Sequence, residues 1–240
     1  MRTAAILPVK RFAAAKSRLG ESVGDPLREE LARAMVADVL LALSQASSIE
    51  RTIVVTREGS VLETARGHGA LVVQDSHERG QSAAVTLGVR NAQAEGIERV
   101  LCIPGDCPAL DPAELDALLA AGAPGGPPGQ SGAREVVIVP DRHGTGTNGL
   151  LLTPPDAIGP SFGPGSCERH RALALAAGLS CRLERPASLL LDIDTGADLA
   201  ALRDRLIGDL PASASSRALR TRAVLGRPER PDIISVNAGV

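Results

Sequence analysis

The sequence predicts an α/β fold, a mainly parallel sheet with helices on both faces. Three observations carry this. Short apolar runs alternate with amphipathic stretches along most of the chain. Helix-start signals follow several of those runs. Hydrophobic residues make up 44% of the chain but aromatics only 1%, so Leu, Val, Ile and Ala must fill the core.

The elements follow in order. TAAILP (Thr3–Pro8) reads as a buried strand. Asp25–Ser44 reads as a helix, with Asp25 as N-cap and Pro26 at the first helical position. TIVVT (Thr52–Thr56) is a second strand, Leu62–His68 a short helix and ALVVQ (Ala70–Gln74) a third strand. Gln81–Glu95 is helical, and RVLCIP (Arg99–Pro104) is another buried strand. Asp111, Pro112 and Glu114 form a capping-box start for a helix to about Ala121. GAPGGPPGQSG (Gly122–Gly132) reads as a flexible surface loop. Glu135–Pro140 and Gly149–Leu152 are strands, and Cys167–Ala177 is a helix with Ser166 as N-cap. Ser180–Glu184 and Ser188–Ile193 read as strands, and Thr195 caps a final helix to Leu206. With 240 residues, this assigns one domain to 1–210 and a partly flexible C-terminal tail to 211–240.

Composition excludes several classes. The formal net charge of -2 offers no field for a polyanion, and the absence of Trp and Tyr removes base-stacking platforms, so no nucleic-acid partner is expected. No apolar run approaches the ~18 residues of a membrane span, and the N-terminus lacks a signal-type apolar segment. A cytoplasmic protein without a membrane partner is expected. Cys102, Cys107, Cys167 and Cys181 form no C-x-x-C pair and read as buried or half-buried thiols.

The chemistry concentrates at strand ends. In LLLDIDTGAD, Asp192 and Asp194 lie two apart on a strand and so face the same way. Adjacent carboxylates repel, and a divalent cation removes the conflict; Mg²⁺ suits one or two carboxylates plus phosphate oxygens. The alternative is that Asp194 only caps the next helix. Asp106, in PGDCP after a buried strand, can converge on the same cleft, since ligands bind beyond the carboxyl ends of strands. Alone it would read as a turn residue. LPVKRFAAAKSRL follows the first strand and holds the chain's two lysines, Lys10 and Lys16, with Arg11 and Arg18. Ammonium groups there suit a triphosphate, against the alternative of a solvated basic loop. The glycines of DRHGTGTNGLL and SFGPGSCERH let backbone N–H groups approach an anion. Ser166 at a helix start, with Thr147 and Asn148 as side-chain donors, makes a seat for a small phosphorylated substrate; Ser166 can also serve as a cap alone. Gln81, after Gly80, can read a base edge. The histidines His68, His77, His143 and His170 match no catalytic pattern and read as surface or capping residues. Their silence fits phosphoryl chemistry, where an ionised phosphate nucleophile needs no general base.

Together, LPVKRFAAAKSRL, PGDCPAL, DRHGTGTNGLLL, FGPGSCERH and LLLDIDTGADL resemble the guanylyltransferases of coenzyme F420 biosynthesis, over about Arg2 to Asp209. The resemblance implies a Rossmann-like nucleotidyltransferase fold and transfer of GMP from GTP to a phosphorylated three-carbon acid. With phosphoenolpyruvate the products would be enolpyruvoyl-2-diphospho-5'-guanosine and pyrophosphate; 2-phospho-L-lactate and 3-phospho-D-glycerate are alternative acceptors. It implies that Asp106, Asp192 and Asp194 hold Mg²⁺ and, with Lys16, form the catalytic set. Thr147, Asn148, Gly163 and Ser166 would bind the acid. Leu7, Pro8, Lys10, Lys16, Arg18, Gly80 and Gln81 would bind GTP. KRFAAAKSRL stands where many nucleotidyltransferases carry a G-x-G loop, which argues against a molybdenum-cofactor-type enzyme. That enzyme and a non-catalytic GTP-binding module are the rivals. Oligomeric state is open, with a homodimer as one option.

Overall fold

The computed structural model describes residues 1–12, 24–121, 134–207 and 217–226. Seven strands form one sheet in the order β3-β2-β1-β4-β6-β5-β7. These are β1 (Thr3–Val9), β2 (Arg51–Thr56), β3 (Leu71–Gln74), β4 (Arg99–Cys102), β5 (Glu135–Pro140), β6 (Thr147–Thr153) and β7 (Ser180–Leu183). β6 runs antiparallel to its neighbours β4 and β5; every other pairing is parallel. The α/β expectation therefore holds, with one reversed strand inside the sheet.

The helices are α1 (Asp25–Gln45), α2 (Leu62–Gly67), α3 (Gln81–Ala94), α4 (Pro112–Ala120), α5 (Ser166–Ala176), α6 (Gly196–Ile207) and α7 (Leu219–Leu225). Strand alternation sorts the core into two layers. Ala5 and Leu7 of β1 face a cluster built from α1, α2, α4, α6 and α7, while Ala4 and Ile6 face a cluster built from α3 and α5. No tryptophan or tyrosine is available, so branched aliphatics such as Ile6, Leu31, Ile53 and Leu101 supply the volume at essentially zero exposure. Burying each contributes about 1.5–3 kcal/mol.

α3 lies close on β1 because Gly88 carries no side chain: a Cβ there would sit 2.6 Å from Ile6 Cγ2. Gly88→Val should overpack this contact by about 1–3 kcal/mol and lower the melting temperature by several degrees, roughly 4–10 °C. Calorimetry showing an unchanged transition would mean that α3 does not press on Ile6.

Several sequence expectations are corrected. Ser188–Ile193 is not a strand; Ala187–Leu189 forms a 3-10 turn, and the rest is irregular backbone. Its one recorded backbone tie to the neighbouring acid loop is Ile193 N–H donating to Asp106 O at 3.0 Å. Gly24, not Asp25, caps α1: its carbonyl accepts from Arg28 N–H at 3.0 Å, which places Asp25 inside the first turn. Asp111 caps α4 by accepting from Ala113 N–H, but Glu114 does not close the capping box; it accepts from Ser188 N–H at 2.8 Å instead. Thr195 does cap α6, its Oγ1 accepting from Asp198 N–H at 3.2 Å.

The Gly122–Gly132 loop expectation lies outside the described residues. So does most of the 211–240 segment, but Leu219–Leu225 within it is helical. The buried Asp38 carboxylate of α1 accepts from Arg220 N–H, Thr221 N–H and Thr221 Oγ1–H, which fixes the start of α7. Among the described residues, no helix is long and apolar enough to cross a membrane. Cys102, Cys107 and Cys167 are buried and Cys181 is half-buried, all as free thiols.

Candidate active site

A cavity of about 1190 Å³ opens along the carboxyl ends of the parallel strands. Because β6 is reversed, its first residues, Thr147 and Asn148, reach the same edge. The connections diverge between β1 and β4, the kind of switch point where open α/β sheets leave a crevice. Single-ligand pockets run to roughly 300–1,000 Å³, so this one has room for two reactants.

Asp106 arrives on the turn after β4, while Asp192 and Asp194 arrive on the segment before α6; all three line the cavity. Although the strand is absent, alternation survives: Leu191 and Ile193 are buried, whereas Asp192 and Asp194 are half-buried. Burial raises the Asp192 carboxyl above the ordinary carboxylate range, and the charges of Asp106 and then Asp194 push the same way; the hydrogen bond from Asn148 Nδ2, at 3.1 Å, opposes them. Asn148 Nδ2 also donates to Leu189 O at 2.8 Å, so Asn148 orients the acid segment while it lines the cavity. Among the described residues, no three His, Cys, Asp or Glu side chains are gathered tightly enough to cage a metal ion by themselves. Carboxylates spaced this way would suit a cation only if ligand phosphates completed its shell.

Two helix starts face the same space. Gly80 precedes α3 with φ of +100°, a conformation that suits glycine, and Gly80 and Gln81 line the cavity. Gly80 has no side chain with which to cap α3, and a helix start of this kind can receive an anion. α5 is capped by Gly165 in the left-handed region, not by Ser166, which is instead its first residue and nearly fully buried. The expected free N–H groups there are partly used: Ser166 N–H donates to Gly163 O and Cys167 N–H to Thr145 O. An anion here would therefore meet the Ser166 and Thr147 side chains and the exposed Gly163 backbone. Arg169 braces the loop before α5, donating from Nε to Ser161 Oγ, from Nη2 to Ser161 O and from Nη1 to Pro164 O. Phe162 N–H donates to Ser82 Oγ at 2.9 Å and ties that loop to the start of α3.

The glycines of DRHGTGTNG serve the turn itself. Asp141 Oδ1 accepts from Thr145 N–H, and a Cβ on Gly146 would lie 2.7 Å from Asp141 Oδ2.

Lys10 and Pro8 line the cavity as expected, but Leu7 does not; it is fully buried in the α1-side core. Lys16 and Arg18 lie outside the described residues. Arg11 of the same basic motif also lines the cavity, and Arg57 and Arg142 add cations that motif reading did not assign. Arg11 and Arg57 both reach Glu78, at 2.5 Å and 3.6 Å, and Arg142 pairs with the buried Asp198 at 2.5 Å.

His170 is not a surface residue. It is fully buried, with Nε2 2.8 Å from Ser161 N and Nδ1 3.1 Å from Thr147 Oγ1. Burial, then the Arg169 charge, lowers its imidazole to about 4. The unfolded chain protonates nearer the ordinary 6.5. This contribution is therefore whole above that value and is lost as pH falls toward 4. His170→Gln should flatten the decline in melting temperature between about pH 6.5 and 4.5. An unchanged decline would show that His170 is not held neutral.

Half-buried carboxylates facing two glycine-led helix starts, at the carboxyl edge of such a sheet, fit the nucleotidyltransferase class. A structural relative agrees on the fold: a Methanothermobacter nucleotidyl transferase superposes with a TM-score of 0.58 at 22% identity, covering 85% of this chain and 97% of its own. The chain belongs to the guanylyl transferase CofC-like family, whose model matches residues 3–205. A phosphoenolpyruvate guanylyltransferase of Conexibacter woesei is 48% identical over 95% of this chain and 96% of its own length. A 2-phospho-L-lactate guanylyltransferase of Methanothermobacter thermautotrophicus is 32% identical, covering 84% of each.

Proposed function

We propose that the chain transfers GMP from GTP to the phosphate of phosphoenolpyruvate, as a cytoplasmic step in coenzyme F420 biosynthesis. The observation that carries this is the half-buried Asp192 carboxylate, flanked by Asp106 and Asp194 in the cavity that the α3 start, Thr147 and Ser166 also line. Identity to the Conexibacter protein favours phosphoenolpyruvate over 2-phospho-L-lactate as the acceptor.

GTP lies over Pro8 with its base toward Gly80 and Gln81, and Lys10 and Arg11 meet its phosphates. Thr147, Gly163 and Ser166 hold the acid's phosphate. One of that phosphate's oxygens attacks the α-phosphorus in line; the bond from the α-phosphorus to the bridging oxygen breaks, and pyrophosphate leaves. The nucleophile is already ionised, so the residues act by positioning and charge neutralisation. Asp106, Asp192 and Asp194 would hold magnesium, which when bound supplies positive charge between two anionic reactants. The fit rests on the repulsion at Asp192, which a cation relieves.

The test is a competition among phosphoenolpyruvate, 2-phospho-L-lactate and 3-phospho-D-glycerate with GTP, the products being identified by mass. Enolpyruvoyl-2-diphospho-5'-guanosine should dominate. A dominant lactyl or glyceryl product would reassign the acceptor, and binding of GTP without any product would leave a nucleotide-binding module.

A further inference from the structure

We infer that His170 is a positioning residue for the acceptor seat: its Nδ1–H holds the Thr147 hydroxyl oxygen from behind and directs the hydroxyl proton into the cavity, toward the acid's phosphate. This rests on Thr147 serving as a phosphate donor.

Ser161 fixes the tautomer of the His170 ring. A backbone N–H can only donate, so the imidazole nitrogen 2.8 Å from it, Nε2, must accept. A neutral imidazole with an accepting Nε2 carries its proton on Nδ1. Nδ1 lies 3.1 Å from Thr147 Oγ1, so the ring donates and the hydroxyl oxygen accepts. The ring cannot relax by taking a second proton at neutral pH, because it is fully buried. A protonated Nε2 would also set two donors against each other at Ser161.

Thr147 Oγ1 has one proton, which is excluded from the histidine side. Thr147 lines the cavity, so the proton's open direction is toward the ligand space. The opposite tautomer would draw the proton inward and present lone pairs to an anion. The ring itself is fixed: Phe162 packs edge-on against it with centroids 5.0 Å apart, and the Phe162 backbone is tied to Ser82. His170 thus sets the sign of the electrostatic contact that Thr147 offers, without touching substrate.

The test uses the whole chain labelled with ¹⁵N-histidine and long-range proton–nitrogen correlation spectra at neutral pH, with His170→Gln identifying the signal. A neutral ring protonated on Nδ1 is expected; an Nε2-protonated ring or an imidazolium overturns the inference, and this spectrum decides even where a variant fails to fold. In kinetics with GTP and phosphoenolpyruvate, Thr147→Val and His170→Leu should each raise the acid's KM about tenfold or more and leave the KM for GTP unchanged. The double variant should be no worse than Thr147→Val alone, and His170→Gln, which keeps a donor and an acceptor, should restore the KM to within about threefold. Fully additive effects, or an equal rise in the KM for GTP, would reduce His170 to a packing role and overturn the inference. An unaltered acid KM in Thr147→Val would instead sink the acceptor-seat reading itself, whatever the tautomer.

Discussion

Asp192→Asn is expected to lower kcat for guanylyl transfer by at least about a thousandfold while raising the melting temperature of the magnesium-free protein. The two effects share one cause. Burial and the charges of Asp106 and Asp194 disfavour the Asp192 carboxylate, so the folded apo protein carries repulsion that an amide removes. Asn148 Nδ2 can still donate to the new side-chain carbonyl, so the local hydrogen bond persists. The same substitution removes a charge that would bind a cation between two anionic reactants. Each kcal/mol of relieved repulsion moves the transition by about 2–4 °C in a chain of this size. Pyrophosphate release and calorimetry in chelator would read both. Near-normal turnover would sink the metal assignment, and a lower melting temperature would contradict the repulsion argument.

The second large effect is expected at the acceptor seat. Thr147→Val combined with Ser166→Ala removes two hydroxyl donors from the cavity lining. A hydrogen bond to a charged group contributes about 1.5–3 kcal/mol, so the acid's KM should rise at least a hundredfold or so even if the pair is not additive. The KM for GTP should stay within about twofold. Steady-state kinetics varying each substrate separately would show this; an equal rise in both values would mean that the seat does not discriminate between them.

Much of this was legible in the chain. Apolar runs located the strands because strands covered on both faces need continuous apolar sequence, and RVLC and EVVIVP are such runs. The segment at Ser188–Ile193 carried a similar apolar run yet made no strand. Its buried leucines and Ile193 pack into the α1-side core, and its backbone pairs with the Asp106 loop instead of a sheet edge. The pairing of Asp192 with Asp194 survived because alternation depends on extended backbone, not on a sheet partner. Two of the four expected helix caps slipped by one residue onto glycines, Gly24 and Gly165, while Asp111 and Thr195 cap as read.

Other features depend on distance in sequence and had no local sign. His170 gains its role from Thr147 and Ser161, 23 and 9 residues away. Arg57 and Arg142 reach the cavity only because β2 and β5 end at its rim. Leu7 sits beside Pro8 in sequence, but the pleat turns it into the core.

The central claim is that one cavity moves the α-phosphorus of GTP onto an acid's phosphate. GTP labelled in its α-phosphate, incubated with phosphoenolpyruvate, magnesium and the purified chain, tests it most directly. The label should move into a diphosphate ester containing both guanosine and the acid, with unlabelled pyrophosphate released in equal amount. Release of inorganic phosphate with the label left in GDP would contradict it.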